Sequence, residues 1–154
     1  SSNPMREYEI SNKELFFQIY KYKLLLLLNY MHIDILFNII CKKVICLLNV
    51  KKNTGNIKKK EMVQLHGSCL VFSPKYFSKF TYCFDERTFL YFEEYFLFHR
   101  ILENNLKSVF EPDIEVIHLG DRTTDALIKS PNKKRRFIYK NLLKSMLIYY
   151  KDIK

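Results

Sequence analysis

Glycine and proline are scarce in this sequence, with 3 and 4 residues among 154. Because these two residues mark most sharp turns, their scarcity argues against a barrel of many short strands and favours long helices. Hydrophobic residues make up 48% of the chain, which is enough for one packed core of ordinary domain size. The composition therefore predicts one helix-rich domain, or one large piece of a domain.

Closely paired cysteines are also absent. The cysteines are Cys41, Cys46, Cys69 and Cys83, and no two of them form a CxxC pair. This spacing does not suit a zinc site, and we find no cleavable signal with a small-residue cleavage site. We therefore expect reduced thiols and a cytoplasmic location, including the inner face of the cell membrane.

Positive charge is in excess along the chain. Lysine and arginine number 26 against 16 acidic residues, which gives a formal net charge of +10. An anionic partner such as a phosphate, a nucleic acid or an acidic membrane would suit this charge, and so would a simple solvated helix surface. Charge alone leaves these alternatives open.

The N-terminal third has the pattern of helices. Residues 13–50 are rich in Leu, Ile, Phe and Tyr and contain neither glycine nor proline. Ser11 is placed to cap the first helix, and Glu14 three residues later would complete a capping box. The leucine run at 24–28 is much shorter than the roughly 20 apolar residues of a membrane span. We expect buried or interfacial helices with a break near residues 29–32.

The rest of the chain alternates short elements with loops. The lysine-rich stretch 51–60 predicts an exposed loop, and residues 62–72 predict a strand that ends at Ser73-Pro74, where a helix begins. Residues 93–105 show helical spacing with two carboxylates in the first turn. Two more short strands are predicted at 108–110 and 114–118, and a basic helix at 133–150.

Three motifs follow one another between residues 66 and 120: HGSCLVFSPKYF, CFDERTFLYFEEYFLFHRI and EVIHLG. Their order and separation resemble family 2 glycosyltransferases of the GT-A fold, in particular rhamnosyl-type enzymes that build bacterial surface polysaccharides. The resemblance implies an α/β fold, namely the C-terminal part of GT-A, helix-rich with a few short strands. It also implies an inverting transfer of a sugar from a nucleotide-sugar to a saccharide or lipid-linked acceptor.

The resemblance also implies roles for individual residues. It places the general base that deprotonates the acceptor hydroxyl on Glu94, with Glu93 as a substitute, although the family usually has Asp at position 94. His118 matches a histidine that helps to bind Mn or Mg in some relatives. The residues implied in acceptor binding are Gly67, Ser68, Asp85 and Tyr91. Without the resemblance, Glu93 and Glu94 would be interpreted as charges that favour a helix start.

The family binds its nucleotide-sugar through a preceding βαβ half that ends in Asp-x-Asp, and no Asp-x-Asp occurs here. We therefore expect a half-protein or fragment that is inactive alone and able to self-associate through exposed sheet edges. Its segments would be a basic helical part at 1–60, the acceptor and catalytic part at 61–130, and a basic amphipathic helix at 131–154.

The expected partners are the nucleotide-sugar donor, through the other half, and the saccharide or lipid-linked acceptor. Peripheral membrane contact through the basic run 133–136 is a further expectation, and nucleic acid is not expected. The alternative function is a non-catalytic basic module that binds acidic membrane or nucleic acid through its lysine-rich helices.

Overall fold

The computed structural model describes residues 4–47, 58–117 and 122–154. In this part of the chain the fold is mixed and helix-rich, with two short strands. The helices are α1 (Asn12–Tyr30), α2 (Asp34–Leu47), α3 (Pro74–Phe77), α4 (Glu93–Glu103), α5 (Arg122–Leu127) and α6 (Pro131–Asp152). The strands are β1 (Lys60–Glu61) and β2 (Val109–Phe110).

Helix α1 begins at the predicted cap. The backbone N–H of Glu14 donates to Ser11 Oγ at 3.2 Å, but the Glu14 carboxylate accepts from Arg6 Nη1 at 2.7 Å. The capping box is thus half formed, because an ion pair takes the carboxylate that would reach back to Ser11. A corner with His32 at φ 62° separates α1 from α2, which confirms the predicted break. None of the described helices combines the length and apolarity needed to cross a bilayer.

The main core lies where α1, α6 and the start of α4 meet. Its buried members are Ile10, Leu15, Ile19, Phe92, Phe96, Met146 and Tyr149. Tyr149 is 1% exposed, and its hydroxyl donates to Glu9 Oε1 at 2.7 Å. Burial raises the pKa of Tyr149 well above its ordinary value. Each such buried side chain contributes about 1.5–3 kcal/mol of transfer free energy, so this junction holds the helices together.

A buried polar network joins α2 to α6. Asp34 is fully buried, and its Oδ2 accepts from Arg135 Nε at 2.6 Å. Next to it, Arg136 Nε donates to Asn29 Oδ1 at 2.9 Å. The two arginines of the basic run 133–136 therefore bind the neighbouring helices, which takes half of that run away from an outward, headgroup-binding position.

The predicted strands are only partly present. β1 and β2 pair antiparallel, with Lys60 opposite Phe110. The predicted strand at 62–72 is wrong, because Met62 turns the chain at φ 53° and the following residues form isolated bonds and bends. Residues 114–117 are irregular as well, and residue 118 lies outside the described part. A strand needs a neighbour that bonds its backbone along several residues. Among the described residues β1 and β2 form such a pair, whereas Gln64 forms only an isolated bridge with Arg6.

A second cluster fastens the loop before α4 to that helix. Its buried residues are Tyr76, Leu97, Ile101 and Leu106. Arg100 Nη1 donates to the Tyr76 hydroxyl at 2.8 Å, and its guanidinium lies 4.4 Å from the Tyr82 ring centroid. Charge-assisted bonds and cation–π contacts of this kind restrain a loop. The loop that leads into α4 is therefore fixed to that helix through Tyr76 and Tyr82.

Candidate functional site

A cavity of about 610 Å³ lies between α1, the turn at residues 66–68 and the start of α4. The predicted site residues that line it are Gly67, Ser68, Tyr91, Glu93 and Glu94. Helix α1 also contributes Gln18, Lys21 and Tyr22 to the lining. The structure thus brings together most of the predicted site residues. Gly67 and Ser68 come from the first motif, and Tyr91, Glu93 and Glu94 come from the second.

The turn before α4 has an unusual backbone. Leu90 and Phe92 both have left-handed φ angles, 64° and 72°, which cost about 1–3 kcal/mol each for residues with a Cβ. Packing and one hydrogen bond hold this turn. The Phe92 ring is buried and stacks on Tyr95 with centroids 3.8 Å apart, and Glu93 Oε1 accepts from Leu90 N–H at 2.9 Å. The consequence is a fixed first turn that carries both carboxylates at the cavity.

Glu94 is held by the backbone of the 66–68 turn. Its Oε1 accepts from Gly67 N–H at 3.1 Å, between residues 27 positions apart. A Cβ added at residue 67 would lie only 2.7 Å from the same oxygen, which is closer than van der Waals contact allows. Glycine is therefore needed here for the close approach of the carboxylate.

Glu93 has a different electrostatic environment. Burial raises the pKa of its carboxyl above the ordinary value, the Leu90 N–H opposes this shift, and the charge of Glu94 adds to it. A carboxylate with a raised pKa holds protons more strongly, which suits acid–base work near neutral pH. The same carboxylate also braces the turn, so Glu93 has a structural task as well.

Asp85 is not among the residues that line the cavity. Its Oδ1 accepts from the backbone N–H and the Nε of Arg87, both at 2.9 Å, and Arg87 Nη1 donates to Asp152 Oδ1 at 3.1 Å. The hydrogen bonds from Arg87 hold the pKa of Asp85 below its usual range. Asp85 therefore ties the loop to the end of α6, while its neighbour Phe84 reaches the cavity.

The predicted metal ligand His118 lies outside the described residues. Within the described ranges, no group of three or more His, Cys, Asp and Glu side chains is arranged to hold a metal ion. Mn and Mg prefer several oxygen ligands. The described residues therefore do not fit a metal site, and no chemical step below passes through one.

Sequence reasoning missed two contributions to the cavity. His66 also lines it, and its Nδ1 accepts from Ser68 N–H at 3.0 Å; its position directly before Gly67 is the signal that could have found it. The α1 residues Gln18, Lys21 and Tyr22 carry no such signal. They reach the cavity because α1 shares the main core with Phe92 and Phe96 at the start of α4.

No protein-family model, curated protein or solved structure matches this chain. What bears on its function is therefore the three motifs and the cavity in which two of them meet.

Proposed function

We propose that this chain forms the acceptor-binding and catalytic-base part of an inverting glycosyltransferase of the GT-A fold. The observation that carries the proposal is the position of Glu94. It lies in the first turn of α4, lines the cavity and is aligned by Gly67 N–H. A general base must be held within hydrogen-bond reach of one hydroxyl, and the helix start together with the bond from Gly67 N–H supports this role for Glu94.

In the proposed reaction, Glu94 removes the proton from one acceptor hydroxyl. The hydroxyl oxygen attacks the anomeric carbon of the donor sugar from the side opposite the leaving group. The bond from that carbon to the nucleoside diphosphate breaks, its electron pair leaves with the diphosphate, and the configuration inverts. The donor would be held by a nucleotide-binding half that these motifs accompany in the family they resemble.

The cavity suits a saccharide acceptor in size and lining. Its volume of about 610 Å³ falls within the range of roughly 300–1,000 Å³ for small-molecule sites. Tyr22, Phe84 and Tyr91 supply aromatic surface for the C–H faces of a sugar, and the two carboxylates accept hydrogen bonds from hydroxyl groups. A polyanion in the same cavity would be repelled by Glu94, which argues against nucleic acid as its ligand.

Saccharide titration of the isotope-labelled chain tests the proposal directly. We expect methyl glycosides of common surface-polysaccharide sugars to shift the backbone amide signals of Gly67, Ser68 and Glu94. The amide of Val71, which lines a different cavity, serves as the internal control. UDP- and dTDP-sugars with Mn should cause no comparable shifts, because the Asp-x-Asp that serves nucleotide-sugar binding in the family does not occur in this sequence. Micromolar binding of a sugar nucleotide to the chain alone would contradict the proposal that this chain binds the acceptor and not the donor.

A second prediction concerns the contact between Gly67 and Glu94. Gly67→Ala should leave the thermal stability nearly unchanged, because the clash is with the mobile end of a side chain and Gly67 is not in the left-handed region. Sugar transfer by a polypeptide that joins this chain to a donor-binding half should fall by about 10², because a displacement of roughly 1 Å misplaces the base. Steady-state kinetics and a melting curve measure the two effects.

The control is a double-mutant cycle with Glu94→Asp. The shorter acid leaves room for the alanine methyl group, so Gly67→Ala should cost less when Glu94→Asp is already present. Independent effects of the two changes would mean that the methyl group acts elsewhere than on this carboxylate.

A further inference from the structure

Helix α1 is apolar on two opposite sides. One side packs into the core through Leu15, Ile19 and Leu25. The other carries five exposed apolar residues: Phe16, Phe17, Tyr20, Leu24 and Leu27. At about 3.6 residues per turn these five positions share one side of the helix. The helix therefore presents a full-length apolar stripe that no described part of the chain covers.

Helix α2 also carries exposed apolar residues, on the side away from α6, because Asp34 and Asn38 contact α6. Its exposed apolar residues are Ile35, Leu36, Ile39 and Ile40, while Asp34 points inward to Arg135. The corner itself adds Met31 and Ile33, which are 60% and 42% exposed. Exposed apolar surface of this extent marks a binding surface in soluble domains. We call the exposed apolar residues of 16–40 the α1–α2 surface.

The charges around the α1–α2 surface have one sign. In helical projection Lys23 lies on one border of the α1 stripe and Lys13 at its N-terminal end, and both are exposed; Lys21, beyond the other border, lines the cavity instead. The Lys23 ammonium lies 5.5 Å from the Tyr20 ring centroid. The acidic residues of these two helices, Glu14 and Asp34, are both bound by arginines. An apolar stripe bordered by lysines is complementary to a partner that is apolar inside and carries negative charges at its surface.

We propose that α1 and α2 dock flat on an anionic lipid bilayer. The aromatic and aliphatic side chains of the α1–α2 surface enter the boundary between headgroups and acyl chains, and the bordering lysines meet lipid phosphates, as in other interfacial helices. A second copy of the chain is a poorer occupant, because it would bring another +10 charge and another lysine border against the first. The proposal is independent of any sugar chemistry at the cavity.

Sedimentation with vesicles tests the docking. The chain should bind vesicles of phosphatidylcholine with phosphatidylglycerol more tightly than phosphatidylcholine alone, and added salt should weaken this preference. Phe17→Gln with Leu27→Gln should lower the partition coefficient by about tenfold or more, since both side chains leave the lipid. Val71→Gln with Ile114→Gln, at equally exposed apolar positions in other segments, should not change it. Absence of vesicle binding, or equal losses in the two double variants, would overturn the proposal.

The lysines are tested separately. Lys13→Gln with Lys23→Gln should lower binding to the anionic vesicles by about fivefold per lysine and leave binding to neutral vesicles unchanged. Equal losses on both kinds of vesicle would contradict a role for lipid charge. These two lysines are not among the cavity-lining residues, so the result does not depend on the proposed function.

A tryptophan probe locates the contact without removing any apolar surface. The sequence has 0 tryptophan residues, so Phe17→Trp provides a single reporter. Its fluorescence should shift to the blue and be quenched by brominated acyl chains, whereas Val71→Trp should show neither effect. If Phe17→Trp were unquenched and the chain were a dimer that Phe17→Gln with Leu27→Gln dissociates, the surface would be covered by a second copy and the proposal overturned.

Discussion

Under the proposed function, Glu94→Gln in a polypeptide that joins this chain to a donor-binding half is expected to lower the rate of sugar transfer by about 10²–10⁴, the usual contribution of a positioned general base. The amide has the same shape as the carboxylate, and its oxygen can still accept from Gly67 N–H, so the start of α4 should keep its geometry. It cannot accept the proton of the acceptor hydroxyl. Turnover under saturating donor and acceptor measures the effect, while the Kd of the donor should be unchanged.

The neighbouring carboxylate provides the matched control. Glu93→Gln should cost less, because the amide oxygen can still accept from Leu90 N–H and brace the turn. Glu94→Asp should retain partial activity, since it keeps the base but shortens its reach. A dead Glu93→Gln beside a fully active Glu94→Gln would reverse the assignment within the pair. Full activity in both variants would end the enzyme proposal.

Asp34→Ala is expected to lower the free energy of unfolding by about 3 kcal/mol, the lower part of the range for breaking a buried ion pair. The side chain of Asp34 is 0% exposed and that of Arg135 is 25% exposed, so the remaining guanidinium is partly solvated. The Tyr139 hydroxyl also donates to Asp34, at 3.4 Å, and would lose this acceptor. For a chain of this length the melting temperature should fall by about 10 °C.

An exposed ion pair is the control for this change. Lys107 Nζ lies 3.4 Å from Glu61 Oε2, with both side chains more than half exposed. Glu61→Ala should therefore change stability by no more than about 1 kcal/mol. Losses of equal size from Glu61→Ala and Asp34→Ala in urea titration would show that burial does not strengthen the Asp34 pair.

The Asp34 pair also predicts a pH dependence. Hydrogen bonding to Arg135 holds the pKa of Asp34 below its ordinary value in the folded state. A lowered folded-state pKa means that the stabilisation is complete above the unfolded value of about 3.9 and is lost as the pH falls through the folded value. The stability difference between the parent chain and Asp34→Ala should therefore be constant near neutral pH and shrink in acid.

The helices could be predicted because their signals are local. Ser11 caps α1 through Glu14 N–H, Ser73-Pro74 begins α3, and the carboxylates at 93 and 94 begin α4. Each of these signals acts within a few residues of the chain. The strands could not be predicted in the same way, since residues 62–72 have strand-forming composition but bond neighbouring segments only at isolated positions in the described part of the chain, Met62 N–H to Ser108 O and Gln64 to Arg6.

The candidate site was likewise predictable in its residues but not in their contacts. Its motifs nominated Glu93, Glu94 and Gly67 without showing that they meet, and they nominated Asp85 for acceptor binding, with bracing of the turn as its alternative role. The fold brings Gly67 N–H to Glu94 and turns Asp85 to Arg87 instead. Which of several nominated side chains share a cavity depends on how the loops before α4 fold back on the helix.

Residue type and spacing within this chain determined its helix-rich character and nominated a pair of carboxylates at one helix start. The tertiary structure alone decided that α1 contributes to the lining of the cavity and that Arg135 and Arg136 turn inward to Asp34 and Asn29. The physical reason is the sequence separation over which each kind of interaction acts. Helix signals act over one or two turns, whereas these contacts join residues about a hundred positions apart and exist only once the helices have packed.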